Sequence, residues 1–380
     1  MERIEKVELF PVTTTRLYGE PSQHVLLCIT SESGMEGWGE VSDVSHLPAL
    51  MPDTNDLEVV LQELLRGRDV MGTSAIESAM LANFPGGRFH GKACLVRAGV
   101  SIAIHDLKAK LLGISVADLL GGKNRRSIPI CYPIFRMKSV EDVEDRKHLV
   151  RMQYEKGFKA FRLYFGAATD ADEELLDWIG SEYRGRITMT SLDGSGLFKL
   201  PQFLRIYERL KHYDFESIES PVDRDDVVMI AEARRRIQHP VSEHVRSLEY
   251  ATRLIRQHAV DIFNISITVA GGIDGMVKLF HVAEAANLEC LIGTTQELSV
   301  ATAAQAHVGA AVKSLDYASD PVGPELYEQD VVEKRVVFRD GALEVPEGPG
   351  LGVKVLRSKI KEISAPLSAR NDVKTEYSRG

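Results

Sequence analysis

IPICYPIF (128–135), AFRLYF (160–165), ITMTSL (187–192), FESIES (215–220), PVSEH (240–244), DIFNI (261–265), LECLIG (288–293) and SLDYA (314–318) are short apolar runs. They return at intervals of roughly 25–30 residues, the repeat expected of βα units. Helical periods fill the gaps, as in LPQFLRIYERLKHY (200–213) and GMVKLFHVAEAANL (275–288). Eight such units favour a closed parallel barrel over an open sheet.

Outside this region the alternation stops. Residues 3–11, 24–30 and 35–41 read as strands, with the turn residues SESG (31–34) between the last two. DLEVVLQELLRG (56–67) reads as a helix ending on Gly67, and LVRAGVSIAIHDLKAKLLG (95–113) as a second helix. ISVADLLGG (114–122) closes the segment. The tail, KRVVFRDGALEVPEGPGLG (334–352), has DG and PG turns between strand-like runs and is expected to pack back on the first domain. The expected architecture is α/β: a modified (β/α) barrel over 126–320, with an α+β capping domain formed by 1–125 and the segment 321–380.

The 380 residues suffice for a barrel of ~250 residues plus a second module. A net charge of -9 disfavours nucleic acid and anionic membrane surfaces as partners. Cys28, Cys94, Cys131 and Cys290 form no CxxC pair, and each lies in or beside an apolar run, as buried thiols in a reducing compartment do. The first residues, MERIEKVELFPV, lack the apolar core of a signal peptide, and no run of ~18 apolar residues occurs. A cytoplasmic protein acting on a small molecule is expected.

A barrel of this kind carries its active site at the C-terminal strand ends. Arg162 and Tyr164 lie on the second strand. Asp193 follows the third, Glu219 ends the fourth, and Glu243 and His244 end the fifth. Ser266 follows the sixth, Thr294, Thr295, Gln296 and Glu297 the seventh, and Asp320 the eighth. One such acid is an ordinary salt-bridged rim residue. Acids on three adjacent strand ends converge only if a cation neutralises them. Phe161, Leu163 and Phe165 take one face of their strand, which turns Arg162 and Tyr164 into the barrel. The plain reading is an Arg paired with a rim carboxylate beside a filler Tyr. The sharper one is an acid–base pair, because a guanidinium favours the phenolate.

These residues are similar to those of the enolase superfamily, near its muconate-cycloisomerase and mandelate-racemase branches. GWGE (37–40), AIHDLKAKLLGISVADLLGG (103–122) and GPELYEQDVV (323–332) resemble its landmarks, as do the strand-end acids. Most members carry Lys-x-Lys on the second strand, where this chain has Arg162-Leu163-Tyr164, and many carry Lys or Asp at Ser266. Arg-x-Tyr resembles a smaller group, the galactarate dehydratases with a Tyr–Arg dyad. GEVSDVSHLP (39–48), CYPIFR (131–136), PVSEHV (240–245), DIFNIS (261–266) and GTTQELSVATAA (293–304) extend that likeness. GGRFHGK (86–92) departs from it where a Tyr run is expected.

The resemblance implies one Mg²⁺ per chain, or Mn²⁺, held by Asp193, Glu219 and either His244 or Glu243. It implies Tyr164 as base with Arg162 activating it, and His90 in place of the missing Tyr. Asp43, His46, Thr295 and Asp320 become substrate contacts, although Asp43 and His46 read equally as plain loop residues. The implied reaction takes the proton beside a carboxylate of a sugar acid or dicarboxylate and expels the neighbouring hydroxyl, as an acid-sugar hydro-lyase does. The alternatives are epimerisation or cycloisomerisation of another acid, or a catalytically silent metal-binding scaffold. A homo-oligomer is expected.

Overall fold

A computed structural model describes residues 2–42, 44, 53–86 and 92–367. The chain opens with three strands, β1 (Ile4–Thr14), β2 (Ser22–Ser31) and β3 (Glu36–Val41), paired antiparallel in that order. Helices α1 (Thr54–Leu65), α2 (Thr73–Asn83) and α3 (Lys92–Leu112) follow. The Asp53 carboxylate accepts the Asn55 N–H (2.7 Å) and starts α1, and Gly67, at φ +76°, ends it. Helix α3 lies directly on β3. A Cβ at Gly39 would stand 2.0 Å from the Gly99 carbonyl, and one at Gly37 would stand 2.3 Å from that of Ala103. The glycines of GWGE are thus required for this close helix–strand contact. A short α4 (Val116–Leu119) is capped by Ser115.

Strand β4 (Ser127–Pro129) leads into the barrel. The run at 128–135 is therefore two strands, the second being β5 (Cys131–Ile134). Then come α5 (Val143–Glu155), β6 (Ala160–Tyr164), α6 (Thr169–Glu182), β7 (Thr188–Asp193), α7 (Leu200–Leu210), β8 (Ser217–Glu219) and α8 (Val227–Arg236). The alternation continues with β9 (Val241–His244), α9 (Leu248–Arg256), β10 (Ile262–Ile265), α10 (Ile273–Ala285), β11 (Glu289–Ile292) and α11 (Ser299–Ala311). Strands β5 to β11 pair parallel in chain order as a seven-stranded sheet.

The eighth position is not a regular strand. SLDYA (314–318) was the expected run, but residues 316–320 close the barrel through single bonds. Asp316 and Asp320 donate their N–H groups to the carbonyls of Cys290 and Ile292 (2.9 and 2.8 Å). Ser319 donates to Pro129 and accepts from Cys131 (both 2.8 Å). The closure is shifted toward the mouth, and this carries Asp320 to the level of the site.

The tail forms β12 (Phe338–Arg339) and β13 (Ala342–Glu344), a hairpin that pairs with β4 at the barrel entry. The segment beyond it, with α12 (Arg357–Glu362), reaches the first sheet: Ser364 bridges Val12, and Thr13 N–H donates to the Ile363 carbonyl (2.9 Å). Among the described residues, no helix is long and apolar enough to cross a membrane.

A buried carboxylate joins the first sheet to the barrel. Glu40, on β3, accepts the Leu298 N–H (2.7 Å) and the Ala301 N–H (2.9 Å) at the start of α11, and it also meets Ser42 Oγ and His24 Nδ1 (both 3.0 Å). α11 has no side-chain cap of its own, so this carboxylate, together with Asp330 on the Ser299 N–H (3.2 Å), supplies the missing acceptors.

Candidate active site

Strand register decides which side chains meet. Arg162 stands opposite Ser191, Tyr164 opposite Asp193, and Asp193 opposite Glu219. Glu219 in turn pairs with Ser242, which lies two residues before His244, and His244 pairs with Asn264. Because residues two apart share a face, Arg162, Tyr164, Asp193, Glu219, His244 and Asn264 all line the barrel interior. Phe161, Leu163 and Phe165 are fully buried on the other face, among the barrel helices.

This settles the geometry of the fifth strand. His244 shares the inner face, with Nε2 3.0 Å from Glu219 Oε1. Glu243 turns outward, where Ser220 Oγ (2.9 Å) and the His244 N–H (2.8 Å) donate to its Oε1 and Arg224 Nε lies at 3.3 Å. Burial pushes the Glu243 carboxyl up to about 7 despite Arg224.

Arg162 is the hub. Its Nη1 donates to Asp320 Oδ2 (2.8 Å) and Glu219 Oε2 (3.2 Å) and stands 4.0 Å from Asp193 Oδ2. Its Nη2 donates to Tyr164 Oη (2.8 Å). Burial works against this guanidinium, yet Asp320, Tyr164, Glu219 and Asp193 hold it charged, well above its ordinary range. Burial raises Asp193, and the Glu219 charge adds to that. Burial also opposes ionisation of Glu219, but Arg162 and then His244 outweigh it and hold that carboxyl down to about 2. Burial lowers His244, which favours a neutral imidazole. Burial lifts Asp320 to about 7 against the pull of Arg162.

Three buried carboxylates therefore share one guanidinium, which leaves the site short of positive charge. Among the described residues, no three His, Cys, Asp or Glu side chains converge tightly enough to cage an ion as they stand. The reason is local: Arg162 sits between the carboxylates. The donor types nonetheless fit a divalent cation. Ser195 N–H (2.6 Å) and Oγ (3.2 Å) engage Asp193 Oδ1, which leaves Oδ2. Glu219 Oε2 faces Arg162, which leaves Oε1 beside His244 Nε2.

The other expected site residues divide. Thr295 Oγ1 meets Thr268 Oγ1 (2.9 Å) and Glu297 Oε1 (3.0 Å), away from the Arg162 cluster's own bonds. Asp320 is placed on Arg162 itself. Glu297 follows the seventh strand and precedes α11, with Thr294 and Thr295 donating to its carboxylate. Asp43, His46 and His90 lie outside the described residues. Arg136 and Ser195 went unnoticed in the sequence. Arg136 was findable by the strand-end rule that picked out the acids, applied to a cation.

The family model described as the enolase C-terminal domain-like family matches residues 144–359, and the mandelate racemase / muconate lactonizing enzyme N-terminal domain matches residues 3–121. The chain belongs to the enolase superfamily. Within its mandelate racemase and muconate lactonizing branch, a chloromuconate cycloisomerase of Cupriavidus pinatubonensis is 28% identical over 308 residues, covering 80% of this chain and 81% of the relative. An N-succinyl-L-Arg/Lys racemase of Bacillus cereus is 25% identical over 346 residues and 90% of both chains. The crystal structure of 2-chloromuconate cycloisomerase from Rhodococcus opacus 1CP superposes with a TM-score of 0.85 at 22% identity, over 96% of this chain and all of that one. This last likeness concerns the fold.

Enolase-superfamily enzymes of this branch use a divalent metal, typically Mg²⁺. None of these relatives is a galactarate dehydratase. Their activities favour the cycloisomerase or epimerase alternative over dehydration.

Proposed function

We propose that this enzyme takes the proton alpha to a carboxylate of a small acid, with Tyr164 as the base and Arg162 as its activator. The observation that carries the reading is the 2.8 Å bond from Arg162 Nη2 to Tyr164 Oη, inside a barrel whose wall also carries Asp193, Glu219 and His244. A guanidinium donating to a phenol oxygen stabilises the phenolate, the form that accepts a proton. The Phe135 ring lies against the Tyr164 ring, with centroids 5.7 Å apart and planes 17° from parallel, and fixes its plane.

Asp193, Glu219 and His244 would hold the divalent ion, whose Lewis acidity supports the negative charge that develops on the substrate carboxylate. Asp320 would orient Arg162 by taking its Nη1. Among the described residues, Asn264 and Ser266 supply no second base on the sixth strand, so the proton moves on the Tyr164 face alone. That asymmetry disfavours two-base racemisation, and the Arg-x-Tyr resemblance then supports dehydration of an acid sugar of the galactarate type to a keto-deoxy acid. His90 and the loop carrying Asp43 and His46 would complete substrate binding.

Cycloisomerisation is the second reading. It rests on the named relatives and likewise needs one proton-transfer group on one face, a donor in the direction of lactone formation and a base in reverse. A panel separates the two. Purified enzyme with Mg²⁺ is given aldarates and aldonates, with keto acid measured, then cis,cis-muconate and chloromuconates, with loss of diene absorbance measured, then N-succinyl amino acids, with optical rotation measured. Keto acid from an aldarate supports dehydration. Diene loss alone replaces it with cycloisomerisation. No turnover, and no solvent deuterium at the alpha carbon of any substrate, removes the proton-abstraction reading.

A further inference from the structure

The first barrel strand contributes neither the proposed base nor a proposed metal donor, yet its end reaches both. Phe135 and Arg136 follow β5 directly, and Phe135 is the ring stacked on Tyr164. The half-buried Arg136 guanidinium crosses the ends of the next two strands. Its Nε donates to the carbonyl of Phe165 (2.9 Å), the residue after Tyr164. Its Nη2 donates to the carbonyl of Asp193 (3.2 Å) and to Ser195 Oγ (3.2 Å). The Phe165 N–H donates to the same Asp193 carbonyl (3.1 Å). Ser195 closes the chain by donating its N–H (2.6 Å) and Oγ–H (3.2 Å) to Asp193 Oδ1.

The directions of these bonds matter. Arg136 has only donors to offer, so Ser195 Oγ accepts from it and its single hydrogen is committed to Asp193 Oδ1. Ser195 holds φ +58°, a left-handed conformation that costs energy for a residue with a Cβ. Such a conformation persists where surrounding bonds over-determine it, and here they come from Asp193 and Arg136. The planar fork lets Nε and Nη2 bridge carbonyls on two strands, which a single ammonium does not do.

We infer that Arg136 is a positioning residue acting through Ser195. It fixes Tyr164 relative to Asp193 and commits Asp193 Oδ1, so that Oδ2 alone is offered to the barrel mouth. The inference rests on the reading of Asp193 as a metal donor and Tyr164 as the base. Residues that hold a ligand's far oxygen typically contribute ~10–100-fold to metal affinity.

Calorimetric Mn²⁺ titration of the full chain tests it without any substrate. The series is the parent, Asp193→Asn, Ser195→Ala, Arg136→Met and Arg136→Lys, each checked by thermal melting. Asp193→Asn is expected to abolish the site. Ser195→Ala and Arg136→Met are expected to weaken it ~10–100-fold. Arg136→Lys, which keeps the charge but loses the fork, should lie nearer the Met variant than the parent. Parent-like Mn²⁺ binding in Ser195→Ala and Arg136→Met, with Asp193→Asn inactive in binding, overturns the positioning role and leaves the metal reading intact. No Mn²⁺ site in the parent, or full binding in Asp193→Asn, removes the metal reading and the positioning role with it. If Arg136→Met does not fold, Ser195→Ala decides, because it removes a single oxygen.

Discussion

Asp172→Asn should make the protein more stable at pH 8, with a much smaller gain at pH 4. Asp172 lies in the first turn of α6 with no exposed surface. Its Oδ2 accepts the Gly166 N–H (2.8 Å), two residues after Tyr164, while Oδ1 has no hydrogen-bond partner among the described residues. Burial pushes this carboxyl up to about 7, with the Gly166 N–H and Arg136 only partly opposing it. The folded state therefore holds a proton that the unfolded chain, titrating near ~3.9, has released. Between those two values the native state binds more protons, so stability falls as pH rises from about 4 to about 7. The full difference corresponds to ~4 kcal/mol at ~1.4 kcal/mol per pH unit. Water reaching the start of the helix and small shifts of the loop recover part of it, which leaves ~2 kcal/mol as the expected gain for Asn above pH 7. Asn matches the neutral acid in shape and keeps an acceptor for Gly166. Thermal melting of parent and variant at both pH values is the assay, and ~2–4 °C per kcal/mol for a domain of barrel size gives a gain of ~4–8 °C at pH 8. Equal melting shifts at pH 4 and pH 8, of either sign, would refute the claim that an ionised Asp172 is the destabilising species.

The remaining predictions concern the hub, the base and the domain junction. Tyr164→Phe should lower turnover of whichever substrate the panel identifies by about 10²-fold, with Mn²⁺ affinity within about threefold of the parent; undiminished turnover moves the base elsewhere. Arg162→Met leaves Asp320, Glu219 and Asp193 buried without their cation and should cost ~3–5 kcal/mol in denaturant unfolding without divalent ions. Mn²⁺ should restore part of that loss, and an equal loss with and without Mn²⁺ would show that the ion does not neutralise these carboxylates. Glu40→Ala removes the acceptor for Leu298 and Ala301 and should cost ~1–2 kcal/mol, with faster amide exchange at 298–302; Glu40→Gln should lose less. Unchanged exchange there would mean that α11 does not depend on the carboxylate.

Much of this site could be read from one dimension because barrel strands are local: a short apolar run followed by an acid places that acid at the mouth whatever the rest of the chain does. The Arg162–Leu163–Tyr164 alternation fixed the inward face for the same reason, since period two is a property of the strand alone. Strand phase is where local reading ended. Glu243 and His244 are adjacent acid and base on a strand buried on both sides, and neither PVSEH nor its neighbours shows which one faces in. The answer lies in the pairing of Glu219 with Ser242, a contact between strands. Asp320 shows a second limit. As a residue after an expected eighth strand it read as a substrate contact, whereas the barrel closes at 316–320 and sets it on Arg162, 158 residues earlier in the chain. Asp172 shows a third. In TDADEELL it is one of four acids in an ordinary helix start, and only the packing of α6 against the Gly166 turn separates the buried one from the solvated ones. The sequence thus carries the candidate residues at the barrel mouth, because chemistry demands particular side chains at strand ends. It carries the bracing around them poorly, because an Arg–carbonyl bridge or a buried helix acid uses residue types that are common on any surface. The brace inferred for Arg136 is the consequence for the proposed function: the distance between the proposed base and the proposed metal donor would be set by a strand that supplies neither.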